Sequence, residues 1–196
     1  MRIVYDDYGG AHSTPLAAAL HLGLMQPDRI PTNDELMALP LFDRVTKAEQ
    51  GCLVFMGADG EGHEVYIIGR GSSGIIVERA LASGMVLAGG ADACTMFVET
   101  LRHVNWWMRI GGFFSRALGW VSLGRPLVLY GTRRAFPQLV KLVDQTKQHV
   151  ARHQGCLCIV ASDGGDLSSQ VRSSVHAGVL PGITMGPLSE GQAQQE

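Results

Sequence analysis

The stretch Arg2-Ile3-Val4-Tyr5-Asp6-Asp7-Tyr8-Gly9-Gly10-Ala11-His12-Ser13-Thr14-Pro15-Leu16-Ala17-Ala18-Ala19-Leu20 decides how the chain is read. Residues 2–5 form a short strand, with Ile, Val and Tyr the residue types that suit one. Tyr8 to Thr14 follow as a glycine-rich turn. Pro15 to Leu20 then read as a helix, since proline suits a first helical position and Thr14 suits the N-cap before it. Strand, turn and capped helix in that order make a βα unit.

Working outward, Gln26 to Pro40 is loop-like with a short helix at Asn33–Met37. Leu53–Met56 and Glu64–Ile68 flank Ala58–His63 in the pattern of a β-hairpin. Gly69–Ser73 leads into a helix from Ile75 to about Val86, and Gly89-Gly90 breaks the chain. Thr95–Glu99 reads as a strand, Asn105 to Leu118 as a helix, and Pro126–Tyr130 as a further strand ended by Gly131-Thr132. A helix from Arg134 to His149 packs through Leu139, Val140, Leu142 and Val143, and Cys156–Val160 is a candidate last strand. Alternating strands and helices predict an α/β fold of three layers, with a mainly parallel sheet plus a β-hairpin, Rossmann-like or P-loop-like. One domain is expected over 1–160. Residues 161–196, rich in Ser, Gly and Gln, form a C-terminal extension expected to be disordered from Met185 to Glu196.

Composition bounds the class. The 196 residues are 46% hydrophobic and 17% charged, which excludes a disordered or fibrous chain. No leader-like segment opens the sequence, and Val104–Leu123 is interrupted by Arg109 and Arg116, so a cytoplasmic protein without a transmembrane segment is expected. The cysteines at 52, 94, 156 and 158 lack the paired spacing of zinc sites and read as reduced thiols. The net charge of −2 conceals an asymmetry: residues 1–101 carry 6 Lys/Arg against 13 Asp/Glu, whereas 102–152 carry 9 Lys/Arg against Asp144 alone. The two segments can attract each other within the fold, or the basic one can meet an anionic ligand or acidic partner.

In an open parallel sheet, ligands sit beyond the carboxyl ends of the strands. Here those ends correspond to Asp6–Thr14, Gly69–Ser73, Leu101–Asn105 and Gly131–Arg134. Gly9 and Gly10 lack the Cβ that would keep a ligand from the backbone, and the amides of Ser13 and Thr14 lie at the positive end of a helix dipole. The loop resembles a Walker A motif only superficially. His12 stands where the lysine belongs, and the two glycines would have to fall at Asp6 and Ala11. ATP hydrolysis of the usual kind is therefore not expected, while a phosphate cradle stays compatible with the turn.

Asp6 and Asp7 are adjacent, unlike the Asp-x-Asp of haloacid dehalogenase-type phosphatases. Neighbours on a strand face opposite ways, so the two do not readily share a magnesium ion. Asp7 and His12 are the candidate catalytic residues, with turn capping and packing as the plainer alternatives. Gly9, Gly10, Ser13, Thr14, Arg70, Asn105 and Arg109 are the candidate ligand-binding residues, Arg70 through a bidentate contact and Asn105 and Arg109 from one helical stripe. No metal-ligand set and no cofactor motif is recognised; His149 and His153 are spaced as ligands but lack a third.

The run Tyr8-Gly9-Gly10-Ala11-His12-Ser13-Thr14 resembles the N-terminal signature of an uncharacterised bacterial family, the domain of unknown function numbered 3189, seen mainly in Firmicutes. The resemblance extends through Asp28–Thr32, the hairpin before Gly69-Arg70, Asn105 with Met108–Gly112, and Gly124-Arg125-Pro126, and covers about residues 2–145. It implies no established activity. A cysteine often stands in the family at the position of Asp7, so a thiolate mechanism like that of low-molecular-weight phosphatases is not available to this chain.

Two functions lead the competition, ahead of a peripheral membrane or assembly role that would need the rings of Trp106 and Trp107 exposed. One is binding of a phosphate- or carboxylate-bearing small molecule at the glycine-rich turn, with phosphotransfer or hydrolysis as its chemistry. The other is a non-catalytic module that uses the basic 102–152 segment on an acidic protein or, less favoured for want of interleaved aromatics, a nucleic acid. An oligomer is compatible with either.

Overall fold

The computed structural model describes residues 1–88, 94–100, 121–152 and 159–160. Strand β1 (Arg2–Asp7) leads into helix α1 (Ser13–His21), the short α2 (Asn33–Ala38), and a 3-10 turn at Lys47–Glu49. A hairpin of β2 (Val54–Ala58) and β3 (Glu64–Gly69) follows, then α3 (Gly74–Leu87), β4 (Thr95–Glu99), the long α4 (Val121–Arg152) and a two-residue β5 (Ile159–Val160). The sheet order is β2-β3-β1-β4-β5, with β3, β1, β4 and β5 parallel and β2 antiparallel at the edge. The fold is mixed α/β with an open, mostly parallel sheet. No helix among the described residues is long and apolar enough to cross a membrane.

Alternation along β1 builds two cores. Ile3 and Tyr5 point to the face covered by α1 and α4, where they join Leu16, Ile67, Phe136 and Leu139. Val4 points to the other face, with Ile68, Phe97 and Ala82 of α3. All nine residues of α1 are buried, and its run of alanines lets α4 lie close against it. The chain passes from β1 to β3 on one side and then returns across β1 to β4 on the other. The carboxyl ends of β1 and β4 thus flank a topological switch point.

The expected hairpin, the helix from Ile75 and the strand at Thr95–Glu99 are all present. Two expectations are corrected. Pro126–Tyr130 is not a strand but part of α4, so Gly131–Arg134 is not a strand end. Its apolar residues continue a helical stripe, buried at Val128, Thr132, Phe136, Leu139, Val143, Thr146 and Val150. A five-residue apolar run does not distinguish strand from helix by itself, and packing on α1 decides it. Pro126 and Pro137 sit on the exposed side, where water can satisfy the carbonyls that lose a partner. The N-cap of α1 is His12, not Thr14, and Pro15 is the third helical residue. The expected helix at 105–118, most of the candidate strand at 156–160, and the tail from 161 lie outside the described residues.

Candidate functional site

Two strand-to-helix turns are zipped together at the carboxyl edge of the sheet. Beyond the last β1–β3 pair, Asp7 with Gly69, the ladder continues: Arg70 N–H donates to Asp7 O (2.8 Å) and Gly71 N–H to Tyr8 O (3.0 Å). A Cβ on Gly10 would lie 2.8 Å from Gly69 N, and one on Gly69 would lie 2.7 Å from Gly9 C and O. Gly10 also holds φ +72°, a left-handed conformation that glycine takes without steric cost. The role expected for Gly10, closeness to a ligand, is thus at least shared: it brings backbone against backbone.

Asp7 faces α1. Its Oδ1 accepts from Gly10 N–H, and its Oδ2 accepts from Ser13 Oγ at 2.6 Å. Thr100, just past β4, is within hydrogen-bond distance of Ser13 Oγ (2.9 Å) and of Asp6 O (3.0 Å). These contacts tie the end of β4 to β1 and to the start of α1. The turn therefore has one of its amides filled by the protein's own carboxylate. The next amides are different: among the described residues no group accepts from the N–H of Ala11, His12, Ser13 or Thr14. Ala11, Ser13 and Thr14 are nonetheless buried, and Thr14 Oγ1 is buried without a hydrogen-bond partner among the described residues. The first N–H groups of any helix lack an intrahelical partner; the uncommon feature here is the Thr14 hydroxyl, since buried side-chain donors are almost always paired.

His12 lies beside them. Its Nε2 is 3.1 Å from Asp43 Oδ1, and its ring meets Phe42 edge-on at 5.5 Å. Asp43 also accepts from Arg125 Nε of α4 at 2.9 Å. The hydrogen bond with His12, against partial burial and together with Arg125, holds the Asp43 carboxyl below its ordinary pKa.

Arg70 is turned away from α1. Its guanidinium pairs with Glu99, places Nε 2.6 Å from Asp6 Oδ1 and Nη1 3.7 Å from Glu78, and is largely enclosed. Gly74 makes the room, since a Cβ there would fall 1.4 Å from Nη1. The Arg70 N–H does not point along the short Nε···Oδ1 line, so Asp6 has an ion partner yet accepts no aligned hydrogen bond. Burial, only partly countered by Arg70 and reinforced by Glu78 and Glu99, pushes Asp6 up to about 7. Asp6 and Asp7 serve opposite faces of the sheet, as their adjacency on a strand requires.

Of the expected site residues, Asp7, Gly9, Gly10, His12, Ser13 and Thr14 share one turn. Arg70 is close in the fold but committed to Asp6, Glu78 and Glu99, and Asn105 and Arg109 lie outside the described residues. The sequence gives Asp6 no role of its own and does not single out Asp43, Thr100, Glu78 or Glu99. Glu78 had a signal: with Gly74 and Ala82 it falls on the i, i+4, i+8 stripe that α3 buries. Asp43 and Thr100 had none, being single polar residues in irregular segments. Neither Cys52 nor Cys94 forms a disulfide.

No curated protein and no solved structure matches the chain. A family model described as "Protein of unknown function (DUF3189)" matches residues 2–148, the span that holds the strands β1–β4, the double-glycine turn and all the contacts just described. The chain belongs to that family.

Proposed function

We propose that the protein binds a small phosphate- or carboxylate-bearing ligand at the start of α1, with Asp7 and His12 positioned for phosphotransfer or hydrolysis. The observation that carries this reading is the buried Thr14 hydroxyl, which has no partner among the described residues, beside the open N–H groups of residues 11–14 at the same helix N-terminus. An anion there accepts several hydrogen bonds, each worth about 1.5–3 kcal/mol when charge-assisted, and adds about 0.3–2 kcal/mol from the helix dipole. The parallel strands run β3-β1-β4-β5, the order of the doubly wound arrangement that places its ligand at this switch point. That order supports a Rossmann-like type of fold, and the turn supports a P-loop-like use of it. Arg70, as placed, serves the sheet, so recognition rests on the backbone amides and hydroxyls.

The test is a thermal-shift screen with inorganic phosphate, sulfate, nucleotides and phosphosugars. A ligand at 100 times its Kd stabilises by about 2.7 kcal/mol, or about 5–10 °C for a chain of this size. Thr14→Val removes the unpartnered hydroxyl at constant shape, so it should keep the unliganded melting temperature and lose much of that shift. No shift with any anion, or an equal shift in Thr14→Val, refutes the assignment.

A second reading rests on α4, whose exposed side carries Arg125, Arg133, Arg134, Lys141, Lys147 and Arg152 against Asp144. A non-catalytic module that meets an acidic protein or nucleic acid through this helix would bind with steep salt dependence.

A further inference from the structure

The loop that carries Asp43 is built in an uncommon way. Leu41 and Asp43, neither of them glycine, both adopt left-handed backbone conformations, at φ 62° and 57°. Such residues are infrequent and cluster where a structure holds a group in place. What the loop holds is His12. Asp43 N–H donates to Ala11 O (2.9 Å), the fully buried Phe42 presents its ring to the imidazole, and the Asp43 carboxylate meets Nε2 at 3.1 Å. Arg125 Nε then occupies the second carboxylate oxygen at 2.9 Å. His12 is the N-cap of α1, yet its side chain makes no capping hydrogen bond, and Nδ1 has no partner among the described residues.

We propose that Asp43, clamped by Arg125, is the positioning residue for His12: it fixes the Nε2–H tautomer and leaves Nδ1 as the nitrogen presented at the α1 N-terminus. This rests on the reading of that turn as the ligand site and adds which nitrogen works there. A carboxylate only accepts, so a neutral imidazole facing it through Nε2 must carry its proton on that atom. Nδ1 then has its lone pair available to take a proton from a bound nucleophile or leaving group. This is the division of labour of carboxylate–histidine pairs in acyl-transfer triads.

Arg125 makes the idea testable without a ligand. Arginine only donates. In Asp43→Asn the amide oxygen therefore turns to Arg125, and the amide NH2 faces His12 Nε2, which must offer a lone pair. The imidazole proton moves to Nδ1. Removing the arginine as well, in Asp43→Asn/Arg125→Ala, lets the amide turn round and restores Nε2–H. Asparagine tolerates the left-handed conformation at least as well as aspartate, so the change keeps the loop.

The measurement is long-range 1H–15N correlation on the full chain labelled with 15N-histidine, at a pH where imidazoles are neutral. The His12 signals are identified by their loss in His12→Gln. The expected series is Nε2–H in the wild type, mainly Nδ1–H in Asp43→Asn, and Nε2–H again in the double variant. Asp43→Gly, which relieves the left-handed residue and removes the acceptor, should give a mixture. A wild-type ring protonated on Nδ1, or an Asp43→Asn ring still protonated on Nε2, overturns the proposal. The tautomers are read without ligand, so a wild-type Nδ1 signal that fails to respond to added inorganic phosphate counts against the anion site and leaves the positioning role standing.

Discussion

Replacing Gly10 by alanine tests whether the double glycine serves packing or ligand approach. The new Cβ would sit 2.8 Å from Gly69 N and 3.0 Å from Gly69 Cα, both main-chain atoms tied into the β1–β3 ladder. Neither can move aside as a flexible side chain would. The φ of +72° adds a conformational cost for any L side chain of about 1–2 kcal/mol. Overpacking against fixed atoms adds about 1–3 kcal/mol, for a total loss of about 2–5 kcal/mol. Gly23 supplies the control, because it has the same φ of +72° but nothing within 4 Å of its would-be Cβ. Gly23→Ala should therefore lose only the conformational part, about 1–2 kcal/mol. Gly69→Ala, whose Cβ would meet Gly9 C and O at 2.7 Å, should lose the packing part alone. Urea unfolding of the three variants separates the two contributions. If Gly10→Ala costs no more than Gly23→Ala, the close seam between the turns is not what requires glycine, and ligand approach regains its place as the explanation.

Two further outcomes follow from the Arg70 cluster. Asp6 has a folded pKa raised to about 7 by burial, above its unfolded value, so the native state holds the extra proton between the two. Stability should fall as pH rises from about 4 to about 7, by at most about 1.4 kcal/mol per pH unit for one proton, and Asp6→Asn should flatten that slope in urea titrations across the range; an unchanged slope refutes the assignment to Asp6. Gly74→Ala puts a methyl where Arg70 Nη1 lies, so it should destabilise despite the better helix propensity of alanine, by about 1–3 kcal/mol. In an Arg70→Met background, where no guanidinium is displaced, the same change should cost less, and a double-mutant cycle with no coupling would refute the clash.

How far the sequence reaches depends on how local the cause is. The βα unit at residues 2–20 and the hairpin were legible because glycines interrupt short apolar runs, and each run is decided by its own neighbours. The start of α1 was misplaced by two residues because Thr14 and Pro15 look like a cap and first position, whereas the Ser13 hydroxyl is drawn to Asp7 and His12 to Asp43. Pro126–Tyr130 failed for a related reason: a proline before and a glycine after an apolar run mimic strand punctuation, while burial against α1 selects a helix.

The candidate site divides along the same line. Sequence alone determined that a glycine-rich turn joins a strand to a helix, that Asp7, His12, Ser13 and Thr14 travel together in it, and that adjacent aspartates face opposite sides. Those statements need only bond geometry and the order of residues. Tertiary structure alone decided that Arg70 is taken by Asp6 and Glu99, that His12 meets Asp43 from 31 residues away, and that Thr100 reaches Asp6 O across 94 residues. Such contacts form because strands distant in the chain become neighbours in the sheet. A charge or donor reveals its partner only once that neighbour is in place, since hydrogen bonds and buried ion pairs are fixed by distance and desolvation rather than by position in the sequence.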